Sequence, residues 1–450
     1  MKRISLSLGI LACILSGNAT SVFAQWSAVG AHGFSDGGTS FNSLAIDKLN
    51  TPFVAYTDLA NGNKATVKTF DGTQWTVAGT PAFSAGSVKD VCIAVAADGT
   101  PYVAYSDRAY GYKLVVQQYN GKEWLPVGNP GFTAGRANYV SFALDGNNTP
   151  YVAFSDESRN NGLTVMKYDG RQWTTVGTSN ISAGQAIGID LAIDNTGTPY
   201  VVYKDISIGG ATRVVKYSHN NWITVGVPGL GWNISANYTT ITLDDKGTPY
   251  VTYATEYAGR ERLLRYDGNN WITVASGFAA GAVQQPSLVT GKNGTIYLAY
   301  TDAGRGGKVS IATYDGNNIQ VIPVDGSKGD YPVAAISPEG SLYVSLREQN
   351  TALTEKATLY RYSSTKVQAV TSQGNIAIFP NPATTQLSVQ AGENMSSIYV
   401  VDMAGCIAKA PVHVQGRAAT IDVSELRTGY YLLKAVGADG KICVSRFQKL

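Results

Sequence analysis

Thr100–Asp107, reading TPYVAYSD, belongs to a set of seven related stretches, and that set decides the fold. The others are TPFVAYTD from Thr51, TPYVAFSD from Thr149, TPYVVYKD from Thr198, TPYVTYAT from Thr248, TIYLAYTD from Thr295 and SLYVSLRE from Ser341. A second mark keeps step with them. Trp26, Trp75, Trp124, Trp173, Trp222 and Trp271 stand 49 residues apart, and Ile319 and Val367 continue the series at 48. A fixed period of this length means that one supersecondary unit is repeated and stacked on its neighbours. Each unit reads as four short strands. Strand a ends in runs such as LAID at Leu44–Asp47, strand b is the PYVAY element, strand c is a run such as KLVVQQY from Lys113, and strand d opens with the Trp. Asp-Gly pairs, as at Asp98 and Asp267, supply the positive φ of tight hairpins. Pro enters at the first residue of strand b, where its missing N–H is tolerated.

Four antiparallel strands per unit of nearly 50 residues fit the blades of a propeller, and seven copies fall in the usual range. The expectation is an all-β chain whose residues 25–366 form a seven-bladed β-propeller. Strand d occurs once more often than strand b if both ends are counted, and the copy at Trp26–Val29 keeps the pattern. The N-terminal segment is therefore expected to supply the outer strand of the last blade, covering an edge that would otherwise invite aggregation. Identical placement of the Trp and of the strand-b Tyr suggests packing between blades, not a ligand platform.

Composition agrees with this. The 450 residues include 27 Tyr, 7 Trp and 49 Gly, with only 15% charged, which suits short strands and tight turns. The net charge of +3, two charges of it in Lys2 and Arg3, leaves no electrostatic footprint for nucleic acid or an anionic membrane. Residues 1–24 read as a signal peptide: Lys2 and Arg3, an apolar stretch Ile4–Leu15, then Val22 and Ala24 ahead of Gln25. Cys13 follows Ala12 as in a lipoprotein site, but the apolar core runs on through Ile14 and Leu15. No later stretch has the length of a transmembrane segment. Cys92, Cys406 and Cys443 form neither a disulfide framework nor a zinc pattern. Cys406 and Cys443 leave two readings open, a bridge or two buried free thiols.

After a polar linker, 367–375, the text changes. It runs IAIFPNPATTQLSVQ from Ile376, IYVVDMAGCI from Ile398, IDVSELRTGYYLLKA from Ile421, and KICVSRFQKL to the end. The residues by themselves indicate a short β-domain with turns at Pro-Asn-Pro, Ala-Gly and Asp-Gly. The set Phe379-Pro380-Asn381-Pro382, Leu387, Val389, Asp402, Gly405, Asp422, Leu426, Gly429 and Tyr430, with Lys441, Arg446 and Lys449 near the terminus, carries a more specific message. Through it, residues 376–450 resemble the C-terminal sorting domain of type IX secretion substrates of Bacteroidota. That resemblance implies a small immunoglobulin-like β-sandwich and recognition by the type IX secretion machinery. It also implies signal-peptide export followed by passage across the outer membrane, to an extracellular or outer-membrane-surface location.

Catalytic motifs are sparse. His32, His219 and His413 fall in separate segments with no second His or Cys at ligand spacing, and read as surface or turn positions. GxSxG, HExxH and a Gly-rich phosphate loop are missing. No metal, cofactor or catalytic set is assigned. One acidic series closes strand b at the face where strand d hands over to the next strand a: Asp58, Asp107, Asp156, Asp205, Asp302 and Glu348. Such mouth acids suit a cation or the paired carboxylates of glycoside hydrolysis. The alternative is that each accepts from amides of its own loop or pairs with a base such as Arg108 or Lys204. Repetition in six units favours the alternative, because active sites are usually asymmetric additions to a symmetric scaffold.

Broken symmetry is the better guide. The fifth unit has Thr255 in place of the acid, followed by Glu256 and Tyr257, and Arg260 stands nearby. The loop leading into this unit holds one extra residue and Trp232, the one Trp outside the periodic series. Trp232, Glu256, Tyr257 and Arg260 are thus candidate ligand-binding residues, since an aromatic platform beside charged side chains suits a sugar ring or a peptide. Drift in a tolerant loop is the competing explanation. Three functions follow: non-catalytic binding of a glycan or protein, a glycoside hydrolase or polysaccharide lyase using the mouth acids, and a structural surface-layer component. Missing motifs and near-perfect repetition favour the first.

Overall fold

Strand b fixes the arrangement. Pro52–Asp58, Pro150–Asp156 and Pro199–Asp205 are each buried at all seven positions. A strand buried on both faces must lie in a sheet covered by neighbours on both sides, which is why the sequence shows a near-continuous apolar run instead of alternation. The computed structural model describes residues 24–227, 230, 238–254, 261–349, 355–364, 376–402, 408, 410–437 and 442–450. Among them the chain is all-β, with no α-helix. It divides into two units, Trp26–Ser363 and a second holding Ser364–Leu450.

In the first unit, repeated four-stranded antiparallel sheets take a propeller-like arrangement. The first sheet pairs Thr39–Ile46, Pro52–Asp58, Lys64–Phe70 and Trp75–Val77 in sequence order. The pattern recurs in sheets whose inner strands begin at Val88, Ala137, Ala186, Thr239 and Val283. At the end it runs on differently from the expected break between units. One strand, Ile319–Ile336, serves first as the outer strand of its own sheet and then as the inner strand of the last. Leu342–Gln349, Glu355–Ser364 and the N-terminal strand Ala24–Ala28 complete that last sheet. The N-terminal segment thus closes the structure as expected. Val29 N–H donates to the Leu359 carbonyl at 2.8 Å, and Phe34 N–H to that of Ala357 at 2.9 Å.

The core consists of layers between sheets. Phe53, Ala55 and Val67 of the first sheet pack on Ile93, Val103 and Tyr105 of the second. Val54 and Tyr56 pack on Tyr343, Ala357 and Leu359 of the last sheet, so the succession of layers closes on itself. The periodic Trp is the wedge in these layers. The indoles of Trp75, Trp124, Trp173, Trp222 and Trp271 donate at 2.8 Å to the carbonyls of Val29, Ala78, Val127, Val176 and Val225 in the preceding sheet. Gly79, at φ +79°, sits so close that a Cβ there would lie 3.2 Å from Trp124.

The second unit holds two antiparallel sheets. One orders Ala377–Phe379, Gln386–Gln390, Ala418–Asp422 and Val412–Gln415; the other orders Met395–Asp402, Gly429–Gly437 and Ile442–Lys449. Leu387, Val389, Val400, Ile421, Leu433 and Phe447 form their common core. Cys406 and the side chain of Cys443 lie outside the described residues. Among the described residues no helix is long and apolar enough to cross a membrane.

Candidate functional site

In five sheets the last residue of strand b pairs with the first of strand a: Asp58 with Thr39, Asp107 with Val88, Asp156 with Ala137, Asp205 with Ala186 and Asp302 with Val283; in the last sheet Glu348, one residue from the strand's end, pairs with Gly329. All six acids therefore stand at the same end of their sheets. Each turns into its own surroundings. The five aspartates cap a three-residue 3-10 turn, accepting from the N–H two residues on at 3.1, 2.8, 3.0, 3.0 and 3.0 Å in chain order. Asp58 also takes Asn61 and Thr66, and Asp107 takes Gly86 N–H. Asp156 takes the Ser158 hydroxyl, Asp205 that of Ser207, and Asp302 the N–H of Ala280. Arg213 lies 3.5 Å from Asp205 and Arg305 3.6 Å from Asp302. Glu348 accepts from His32 at 3.0 Å, Thr358 at 2.8 Å and Tyr360 at 2.7 Å. Burial opposes its ionisation, yet these donors and the His32 charge hold its carboxyl below the usual glutamate value. Among the described residues no three His, Cys, Asp or Glu side chains are grouped to hold a metal ion. Trp232, Glu256, Tyr257 and Arg260 lie outside the described residues. Their neighbour Glu261 is fully buried and accepts from Ala279 N–H at 2.9 Å.

Two residues inward from the acids, the inner strands carry a feature that the repeat reading misses. In each of six sheets the pairing of strands a and b slips by one residue, between Ser40 and Ser43, Lys89 and Cys92, Asn138 and Ser141, Ile187 and Asp190, Gln284 and Ser287, and Asp330 and Val333. The residue in the bulge has left-handed backbone: Phe41 at φ 50°, Asp90 at 52°, Tyr139 at 53°, Gly188 at 57°, Gln285 at 50° and Tyr331 at 49°. Tyr238 takes the corresponding place before the inner strand Thr239–Leu243. A bulge re-aims its side chain. Here it leaves Phe41 and Tyr139 about two-fifths exposed, at 40 and 42%, and Tyr238, at the matching place, is exposed to 40%. The Tyr238 and Tyr331 hydroxyls meet at 3.3 Å with their rings edge to face. Burial, the Tyr331 hydroxyl and the nearness of Tyr139 push the Tyr238 phenol well above its usual pKa. The signal was present in the sequence: where the rest of the unit repeats, this one place reads Phe, Asp, Tyr, Gly, Tyr, Gln, Tyr.

Below the bulges a belt of small polar side chains joins sheet to sheet. The hydroxyls of Ser43, Ser141, Thr240 and Ser287 accept from the N–H groups of Ile93, Leu191, Leu288 and Ala334 in the next sheet, at 3.1, 3.0, 3.2 and 3.1 Å. Asp190 stands in for a hydroxyl in this belt, accepting from Ile241 N–H, Thr240 and Ser141. Burial raises its pKa against those donors. Cys92 donates to the Val140 carbonyl at 3.2 Å, and burial pushes its thiol far up, so it is a packing residue and not a nucleophile. At the opposite end, shallow grooves open between neighbouring sheets. In the ones containing Tyr200 and Tyr343, Lys216 and Arg361 lie 5.6 Å above the respective rings.

Comparison with known proteins bears on both units. Residues 377–447 match the family model of the secretion system C-terminal sorting domain. No curated protein matches the chain in sequence. Among solved structures, polysaccharide lyase Uly1 superposes with a TM-score of 0.50 at 11% identity, covering 74% of this chain and 91% of its own. A protein of unknown function from Dyadobacter fermentans gives 0.44 at 12% identity, covering 76% and 99%. The Aleuria aurantia lectin gives 0.41 at 15% identity, covering 64% and 97%. At such identities the likeness to Uly1 speaks to the fold alone.

Proposed function

We propose that the protein is an exported seven-bladed β-propeller that binds a glycan or protein ligand without chemistry, at the face where the strand-a bulges open. The sorting domain at its C-terminus implies export to the cell surface or beyond. We take that domain to be an immunoglobulin-like sandwich, and the N-terminal 24 residues to be the signal for the first membrane.

One observation carries the binding reading: at this face the acids are engaged in their own loops, while aromatic rings are presented to solvent. Hydrolysis of a glycoside needs two free carboxyl groups facing one bond. A tyrosine base needs a phenol that ionises readily, whereas burial and its neighbours push Tyr238 the other way. Neutral rings and hydroxyls are what binding requires. Trp232, Glu256, Tyr257 and Arg260 belong by sequence to loops of the same face and would form its rim. The test is to screen the protein for binding to immobilised glycans and proteins, and to assay the same ligands for cleavage. Saturable binding, unchanged in an Asp107→Asn, Asp156→Asn variant, is expected. Turnover that disappears in that variant would establish the enzyme reading instead.

A further inference from the structure

We infer that three grooves between neighbouring sheets, at the end opposite the mouth, are separate and equivalent sites, each for one unit of a neutral saccharide. This goes beyond the mouth reading and stands without it. The grooves are open spaces of about 570, 340 and 640 Å³, between the second and third sheets, the fourth and fifth, and the last and first. Volumes of about 300–1,000 Å³ are those of small-molecule sites. The repeat gives all three the same lining. One wall holds a strand-b tyrosine, Tyr102, Tyr200 or Tyr343. The other wall comes from the next sheet. It holds the proline that opens strand b, Pro150, Pro249 or Pro52, and the ring that ends strand c, Tyr168, Tyr266 or Phe70. The aspartate of the following turn, Asp169, Asp267 or Asp71, completes the lining.

Each of these seams is tied twice. At the turns between strands a and b, Ala97 N–H donates to Asn148 Oδ1 at 2.8 Å, Asn195 Nδ2 to the Asp245 carbonyl at 3.1 Å, and Asn50 Nδ2 to Glu339 at 2.8 Å. At strand d the indoles of Trp173, Trp271 and Trp75 donate across the same three seams. Those indoles also back the aromatic wall, packing on Tyr168, Tyr266 and Phe70. A site whose width is fixed before the ligand arrives loses little side-chain freedom on binding.

The polar groups are of two kinds. Burial raises the phenols of Tyr102, Tyr200 and Tyr343 above their usual pKa, so they stay protonated. The amides of the turn hold the carboxyls of Asp71, Asp169 and Asp267 below the usual aspartate value, so they stay ionised. In each, Oδ1 takes two of those amides at 2.7–2.9 Å, and Oδ2 takes no donor among the described residues. The turn itself does not need the charge: in the second sheet Asn120 Oδ1 receives the equivalent two amides at 2.9 Å. A carboxylate oxygen beside a phenol and an apolar ring suits the hydroxyl rim and C–H face of a sugar. A hydrocarbon would strip water from the carboxylate without replacing it, and the same charge repels a uronate or a sulfate. Lys216 and Arg361 do not cancel that charge, since they stand over the rings of Tyr200 and Tyr343 and pair with none of the three aspartates.

The test equilibrates the full mature protein by dialysis with labelled glucose, galactose, mannose, rhamnose and N-acetylglucosamine, and with glucuronate and galactose 6-sulfate. Asp71→Asn, Asp169→Asn and Asp267→Asn are made singly and together. Asparagine keeps the turn, as Asn120 shows, so the melting temperature should not move. At least one neutral sugar is expected to saturate with three equivalents per chain more than the triple variant binds. Each single variant should weaken one of the three at least tenfold and leave the other two as internal controls. Asn147→Trp fills the groove between the second and third sheets from its rim, where the side chain is exposed and the N–H alone serves the turn. It should also remove one equivalent. Sugar binding unchanged in the triple variant overturns the grooves; if that binding vanishes in Tyr139→Gly, it belongs to the mouth. Loss of all three equivalents from one single substitution would mean that the sites are not separate, and overturns the inference. So does a preference for the anionic sugars. So does the absence of any sugar binding, which leaves the mouth to a protein ligand.

Discussion

An aspartate that ends strand b has two potential uses, and its neighbours choose between them. Asp107 is fully buried and accepts from Ala109 N–H at 2.8 Å and Gly86 N–H at 3.0 Å. Replacing it with alanine removes a cap and strands two amides, so Asp107→Ala should lower unfolding free energy in urea by about 2–3 kcal/mol while leaving ligand affinity unchanged. Asp90 makes the opposite case. It is half-buried, and burial pushes its carboxyl up from 3.8 to about 6, against the pull of Tyr139 and Val140 N–H and of Lys89. The folded state therefore holds this proton longer than the unfolded chain, and ionisation works against folding. The penalty from this one group should be absent below pH 4, grow as pH rises to about 6, and then level off. Asp90→Asn should add about 2 kcal/mol at pH 7.5 and nothing near pH 4, a pattern readable from melting curves across that range. The sequence makes the common end of the six acids legible, because strand b ends there in every copy. It does not make the mouth tyrosines legible as a group, because a bulge shifts the two-residue alternation that predicts which way a strand side chain points.

At the scale of the element, the indole that recurs every 49 residues acts as both spacer and donor. Trp124 stacks on Phe83 at 4.8 Å and donates to the Ala78 carbonyl at 2.8 Å. Trp124→Phe keeps the stack but leaves that buried carbonyl without its donor, which should cost about 2 kcal/mol in urea unfolding. If the indoles instead formed a ligand surface, the same change would spare stability and weaken binding. Identical spacing was enough to read this role from sequence, since packing between repeats is the one demand every unit shares. The bulged inner strands were not readable in the same way. Their backbone is dictated by the close approach of neighbouring inner strands, and the belt of Ser43, Ser141, Thr240 and Ser287 marks that approach only once the sheets are placed. The run-on strand Ile319–Ile336 likewise replaces an expected break, because the sixth outer strand and the last inner strand join without a loop long enough to interrupt pairing.

For the whole molecule, closure is the property that makes the mouth rigid. The N-terminal strand Ala24–Ala28 lies on the outer edge of the last sheet, and His32 reaches Glu348 within it. Deleting residues 25–30 should lower the melting temperature sharply, since it uncovers a sheet edge and removes the Trp26 side of the last layer. An unchanged melting curve would mean that the ring does not depend on this strand. The count of strands at the two ends was sufficient to anticipate the pairing. The bulge residues that line the mouth were not legible at this scale, because every unit contributes to the mouth and no single stretch of sequence spells it out.

The central claim is binding without turnover at that mouth, and one measurement reaches it directly. The full mature protein is incubated to saturation with the glycan it binds best on an array, between pH 5 and 9, and bound and free sugar are then weighed by mass spectrometry. Saturable binding with every chain recovered at its starting mass is the expected result. Shortened chains, or chains carrying a new double bond, would contradict the claim and place the protein among the enzymes.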